Sequence, residues 1–446
     1  MKYFLSIFFV ALCSFGFAQE AFMKAIGTDN IEHGVDICMD SNGSVYVVSS
    51  TNAVASSYTD ILLTSLDNQF NCLWSYTYGS NFIHQPVAMD IAEDELYIVS
   101  TVLTPTTSSY DIEVMKVGLD GIPVWTQSFG NESWDIARDI RVVGNSIYVI
   151  AETQMDGVNQ AEVFILDKTT GISFTPVFLT QGNSDVEVMA FMVNNGRYYA
   201  AIAQQGVTYI NNYFLNGVLA WSSPLEFVDG GEMHVKDFSV FGANVYYAGE
   251  RILDGNTMGF YGGVDNIGNI FMLTSEVYSG DYGYCGVFVS DSRIVLPGFL
   301  KFAGAGGKDA FVHILTQDQV FLGAPTFGDS QDDYFDKAIV MPNGYVLCAG
   351  TTFSYGEANG NSMALMMTEA TFGDYSQYLD TNNDCFIVSV QEALHSSNRV
   401  IEEKYYLMDG REVEASRALE FSKENIVICI KQYSNGEMEV TKFVSK

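Results

Sequence analysis

The residues of this chain best suited to chemistry are His33, His84, Trp134, Asp135, Asp185, Glu187, His234, Tyr282, Asp329, Asp332, Asp333 and Tyr334. Carboxylates beside aromatic rings can hold a cation or a glycan. A carboxylate beside a second carboxylate or a histidine can serve as a general acid and base pair. Ligand contact is expected from His33, His84, Trp134, Asp135, Asp185, His234, Asp332 and Tyr334. The competing reading is a solvated acidic rim with no chemistry.

Catalytic signatures are missing from the sequence: there is no H-E-x-x-H, no G-x-S-x-G and no G-x-x-x-x-G-K-[ST]. Gly304, Gly306, Gly307 and Lys308 come near a phosphate loop, but Asp309 stands where the hydroxyl belongs. Asp380, Asn382 and Asp384 resemble the start of a calcium loop, yet neither the turn glycine nor the closing glutamate follows. No catalytic residue, metal ligand or cofactor is therefore assigned, with calcium at 380–384 kept as an alternative to a plain acidic linker.

What must position these residues is a repeat. NGSVYVVSST (42–51) and GNSIYVIAET (144–153) say nearly the same thing, and similar segments recur about every fifty residues. Each reads as a pair of strands, followed by a polar loop, a third strand such as DIEVMKVGLD, a tight Asp/Asn/Gly turn, and a fourth strand such as VWTQSFG. Terminal glycines recur at Gly27, Gly79, Gly130 and Gly182. Seven such units predict an all-β fold, a seven-bladed β-propeller of four-stranded blades over residues 19–376.

AFMKAIG (21–27) matches a fourth strand that the last unit lacks near 363–370, so the two ends should pair and close the ring. Trp74, Trp125 and Trp221 are expected between blades as packing rather than as sugar platforms. Turns inside each strand pair read as short, whereas the second-to-third and blade-to-blade loops read as long and polar and emerge on one face. The candidate residues gather there. The repeat resembles that of secreted bacterial β-propeller proteins.

Composition limits the partners. Acidic residues outnumber basic ones 54 to 21, for a formal charge of −33, which disfavours nucleic acid and acidic lipid surfaces. MKYFLSIFFVALCSFGFAQE has the charged start, apolar run and small-residue end of a secretory signal peptide, assigned to residues 1–18, and no later stretch predicts a membrane span. Cys38, Cys72, Cys285, Cys348, Cys385 and Cys429 are too scattered for a zinc site. A Cys385–Cys429 bridge and buried free thiols both remain open.

Residues 377–446 change character and predict a small C-terminal β-sandwich ending in a hairpin at Asn435-Gly436. Here YLMDGREV (406–413) and the ending from Asn425, with Lys442-Phe443-Val444, resemble the C-terminal sorting domain of type IX secretion substrates in Bacteroidetes. Two departures stand out: the Pro-Asn-Pro block that often opens that family is missing, and Asn425 and Val427 replace its usual Gly and Tyr. The resemblance implies the type IX machinery as a partner and passage through the periplasm to the medium or the outer cell surface. The expected function is a non-catalytic binding module for a surface ligand, glycan or protein. The alternative is a secreted glycan- or peptide-acting hydrolase or lyase with its site on the long-loop face.

Overall fold

The computed structural model describes residues 22–27, 31–52, 59–79, 83–104, 109–180, 184–275, 280–301, 307–342 and 344–354; beyond these it describes only the strands between 362 and 443. The signal peptide, the Asn382 and Asp384 pair and the Cys385–Cys429 bridge lie outside what is described.

Alternating and β-branched segments become strands. Four run together in the first sheet: β2 (Glu32–Met39), β3 (Val45–Thr51), β4 (Asp60–Leu66) and β5 (Cys72–Gly79), with β1 (Phe22–Ile26) set aside for another sheet. The second holds β6 (Ile83–Ala92), β7 (Glu95–Thr104), β8 (Ser109–Gly118) and β9 (Pro123–Phe129). The third holds β10 (Asp135–Val143), β11 (Ser146–Met155), β12 (Val158–Asp167) and β13 (Val177–Phe178). The fourth holds β14 (Val186–Asn194), β15 (Arg197–Gln204), β16 (Val207–Phe214) and β17 (Leu219–Pro224). The fifth holds β18 (Glu232–Phe241), β19 (Asn244–Leu253), β20 (Asn256–Val264) and β21 (Ile270–Thr274). In the sixth, β24 (Ile294–Leu300) and β25 (Asp309–Leu315) are flanked by the short β22 (Tyr282–Tyr284), β23 (Phe288–Val289), β26 (Phe321–Gly323) and β27 (Thr326–Phe327).

The chain is an all-β propeller, but its sheets are not seven equivalent four-stranded units. Six are built from consecutive strands, and the sixth of these has its first and last strands broken in two. Pro297 in β24 accepts the Cys285 N–H at 2.8 Å but has no N–H to return, and Pro325 separates β26 from β27. A further sheet is composite: β28 (Asp333–Val340), β29 (Val346–Thr352) and β30 (Ser362–Thr368) continue through β1 to β31 (Leu379–Asp380).

Phe22 to Ile26 run antiparallel to Met367 to Met363, which is the end-to-end pairing the sequence predicts. Deleting residues 19–27 should leave β30 as an open edge and yield aggregates by light scattering. A monomeric deletion product of unchanged melting temperature would refute a stabilising role for the pairing.

Apolar side chains interlock between successive sheets. Val48 and Leu63 pack with Ile98 and Met115, and Val99 and Val114 with Ile147 and Val149. Fourth-strand tryptophans lie over the turn of the next sheet: Trp74 Nε1 donates to Leu119 O at 3.2 Å and Trp221 Nε1 to Asn266 O at 3.1 Å. A Cβ on Gly268 (φ +94°) would sit 3.0 Å from the Trp221 ring, so that turn needs glycine for space as well as for dihedral.

The expected loop asymmetry holds in part of the ring only. In the third, fourth and fifth sheets the second-to-third connection is a two-residue turn with both φ positive: Asp156-Gly157, Gln205-Gly206 and Asp254-Gly255. Long connections remain at 52–59, 301–308 and 353–361.

The chain divides into compact units at 1–390 and 391–446, with β32 (Ile387–Gln391) lying beside β5. The described strands of the second unit are β33 (Val400–Leu407), β34 (Glu412–Val413), β35 (Val427–Tyr433) and β36 (Met438–Phe443). They form one antiparallel sheet in the order β34, β33, β35, β36, so a second sandwich layer is not found among the described residues. Among those residues no helix is long and apolar enough to cross a membrane.

Candidate functional site

The innermost strands carry a repeated irregularity. The register slips by one residue in β2, β6, β10, β14, β18 and β28, leaving Val35, Val87, Arg138, Met189, Lys236 and Asp336 as bulged residues. A bulge re-aims its side chain, which is how a regular sheet directs selected groups toward an opening.

Most inner-strand acids around these bulges hold the ring together. Asp36 Oδ1 accepts the Ile37 N–H and Oδ2 the Met89 N–H of the next sheet, both at 2.8 Å. Asp90 repeats this toward Val142 at 2.7 Å, and Glu152 Oε1 accepts the Val188 N–H at 2.7 Å. Two part-buried cations balance the acids: Arg141 Nη1 lies 2.8 Å from Asp139 Oδ1 and Lys337 Nζ 3.0 Å from Asp237 Oδ1. Burial pushes the Asp36, Asp90 and Asp139 carboxyls up, Asp139 to about 6, with the cations acting against that shift. Burial also works against the Lys337 charge, but the neighbouring Asp237 and Asp36 outweigh it and hold the ammonium charged. Among the described residues no cluster of His, Cys, Asp and Glu has the form of a metal site.

Several of the expected binding residues are engaged in similar structural work. His84 is buried with Nδ1 3.1 Å from Glu113 Oε1. Asp135 is buried, its Oδ2 accepting the Asn131 N–H at 2.6 Å, and burial lifts it to about 6. Asp333 accepts Thr352 Oγ1 and Ser354 Oγ, both at 2.6 Å, and Tyr282 is buried with its hydroxyl on Gly259 O. Asp185 accepts the Asn159 N–H at 2.8 Å, and His234 Nε2 lies 3.4 Å from Glu232 Oε1. Trp134 is exposed and edge-on to Tyr110 at 5.4 Å, while His33 faces Phe353 at 6.2 Å, its pKa lowered by burial.

One cavity, of about 290 Å³, gathers groups from three sheets. It is lined by Lys236 and Glu250 of the fifth, Cys285, Phe299 and Lys308 of the sixth, and Tyr334, Phe335 and Asp336 of the composite sheet. Lys236 and Asp336 are bulged residues, and Lys308 comes from the long 301–308 connection. Asp332 Oδ1 accepts the Lys308 N–H at 2.8 Å, while Lys308 Nζ lies 3.9 Å above the Phe299 ring. Lys236 Nζ is 3.6 Å from Glu250 Oε2.

Asp336 Oδ2 is buried and has no hydrogen-bond partner among the described residues. Burial lifts this carboxyl to about 8, against the pull of Lys236 and Thr351, so it is largely a neutral O–H donor at pH 7. Burial likewise raises the Tyr334 phenol and pushes the Cys285 thiol far up, leaving it an unreactive thiol.

Of the residues expected from sequence, Tyr334 lines this cavity and Asp332 supports it. Lys236, Glu250, Phe299 and Asp336 were legible only as members of alternating strands, and the bulge that redirects two of them has no signature beyond a charged residue on an inner strand.

No family model matches the chain, and no curated protein is similar to it. Among solved structures, the chain is similar to polysaccharide lyase Uly1 (TM-score 0.47, 8% identity, covering 76% of this chain and 90% of that one). It is also similar to the Dos1 propeller (0.46, 7%, 80% and 98%) and to a DUF4221 family member from Bacteroides vulgatus (0.38, 10%, 62% and 92%). At these identities and scores neither ligand nor activity carries over.

Proposed function

We propose that this protein is an exported, non-catalytic binding propeller whose ligand sits in the cavity between the fifth, sixth and composite sheets. The observation that carries the reading is Asp336. Its bulged position places a buried, unpartnered carboxyl oxygen beside a cavity that also holds two lysines, a carboxylate and a phenol. The composite sheet is read as the seventh blade, because β28 follows the sixth sheet and lies against β2 of the first. Residues 1–18 would direct export, and the tail from 377 would deliver the protein through the type IX machinery, as its sequence resemblance implies.

Filling the cavity tests the binding role. Phe299→Trp should abolish hits from a thermal-shift screen of sugars, sugar acids and small peptides while leaving the unliganded melt unchanged. Hits that survive the substitution would move the site elsewhere. Delivery is tested in a type IX-competent Bacteroidetes host: a chain ending at Asp384 should accumulate in the periplasm, and the full chain outside. Equal export of both would overturn the tail assignment.

Asp336 and Glu250 also support a second reading, cleavage of a glycan or peptide, with a neutral acid and an ionised base lining one cavity. Turnover abolished by Asp336→Asn, with binding retained, would favour it.

A further inference from the structure

From the cavity's groups we infer that the ligand is a small hydroxylated carboxylate of sugar-acid size, held by the ammoniums of Lys236 and Lys308 with the Asp336 carboxyl donating a hydrogen bond. This rests on the cavity being the binding site.

The charges argue for an anion. In a chain of net charge −33 with only 21 lysines and arginines, two lysines meet here. Glu250 is engaged with Lys236, and Lys308 lies over the Phe299 ring. The cavity thus carries about one net positive charge while Asp336 is neutral. A carboxylate would lie between the ammoniums and accept a hydrogen bond from the Asp336 O–H, giving the buried Oδ2 a partner. An amino acid fits less well, since its ammonium would need a free carboxylate and Glu250 is already paired. The remaining lining suits a ring with hydroxyls: Phe299, Tyr334 and Phe335 offer apolar faces, while the Tyr334 phenol and Glu250 can hydrogen-bond. A volume of about 290 Å³ has room for such a ring.

The bound state should also depend on one proton. Lys236, Lys308, Glu250, Tyr334 and Cys285 share the cavity with Asp336. Burial raises Asp336 to about 8, so its ionisation in the mildly alkaline range would set a second carboxylate against the ligand.

Isothermal titration of the full mature chain with glucuronate, glucose and glucosamine tests the class. A glucuronate-terminated disaccharide distinguishes a free acid from the end of a glycan. Glucuronate should bind at least tenfold more tightly than either other monosaccharide. Lys236→Met and Lys308→Met should each weaken it tenfold or more, with Lys308→Arg restoring much of the loss. Wild-type affinity should fall about tenfold per pH unit above pH 8, and Asp336→Asn, which keeps a donor, should remove that dependence. Glucose binding as tightly as glucuronate, and blocked by Phe299→Trp, would overturn the carboxylate and leave the cavity as the site. Tight glucuronate binding indifferent to both lysine changes and to Phe299→Trp would overturn the site as well.

Discussion

Replacing Lys337 with methionine is expected to destabilise the propeller by about 3 kcal/mol, read as a lowered urea midpoint at unchanged slope. Its Nζ lies 3.0 Å from Asp237 Oδ1, and its charge also acts on Asp36 and Asp139. Removing one partner of a buried ion pair leaves its acids uncompensated in a poorly solvated place, which costs about 3–5 kcal/mol. The Lys337 side chain keeps 22% of its surface exposed, and that screening puts the loss at the lower end. Asp237→Asn combined with Lys337→Met should cost less than the sum of the two, because each change removes the reason for the other's penalty. A loss below about 1 kcal/mol, or strict additivity, would show that the Lys337 and Asp237 charges are solvated rather than mutually dependent.

The second large effect is on stability against pH. Burial lifts Asp336 to about 8 and Asp60, Asp135 and Asp139 to about 6. A carboxyl whose folded pKa exceeds its unfolded one binds more protons when folded, so its contribution is complete below about pH 4 and is lost as pH rises to the folded value. His313 acts oppositely. Burial lowers it to about 4, so the folded state binds fewer protons and loses stability as pH falls from 6.5 toward 4. Asp67 and Asp265, whose pKa values are lowered chiefly by hydrogen bonds from Asn71 and Asn269, add a further loss below about pH 4. The melting temperature should therefore rise as pH falls from about 8 to about 4, because the four raised carboxyls outweigh His313, and fall again in stronger acid. Asp336→Asn should flatten the alkaline limb by removing the group that titrates there. An alkaline limb equally steep in that variant would assign the slope to the general negative charge instead.

The repeat was legible because it is written in residue types that recur at fixed spacing. Val-Tyr and Ile-Tyr runs gave β3 and β11, and the terminal glycines marked the ends of β5 and β9. The pairing of β1 with β30 followed from a missing fourth strand, which is a counting argument and needs no side-chain geometry. The sixth sheet was less legible, because the effect of Pro297 on a ladder depends on which neighbour faces it. The candidate site was the least legible part. Acids such as Asp135 and Asp333 looked chemically available, yet backbone amides and hydroxyls claim them once their loops fold. Lys236 and Asp336 come together from sheets one hundred residues apart in sequence, through a one-residue slip that pattern reading does not see.

The pairing of Phe22 with Met367 also sets an order of events during synthesis. The first strand of the ring to leave the ribosome is among the last to find its neighbour. At typical elongation rates of about 5–20 residues per second, it waits roughly 20–70 s for the strand it must join. Until then β1 and, once made, β30 are unpaired templates for any other extended chain. Contacts of such long sequence separation are also slow to form. A cell making this protein would have to shield its N-terminal end through nearly the whole of translation, and an exported chain would have to cross its first membrane with the ring still open.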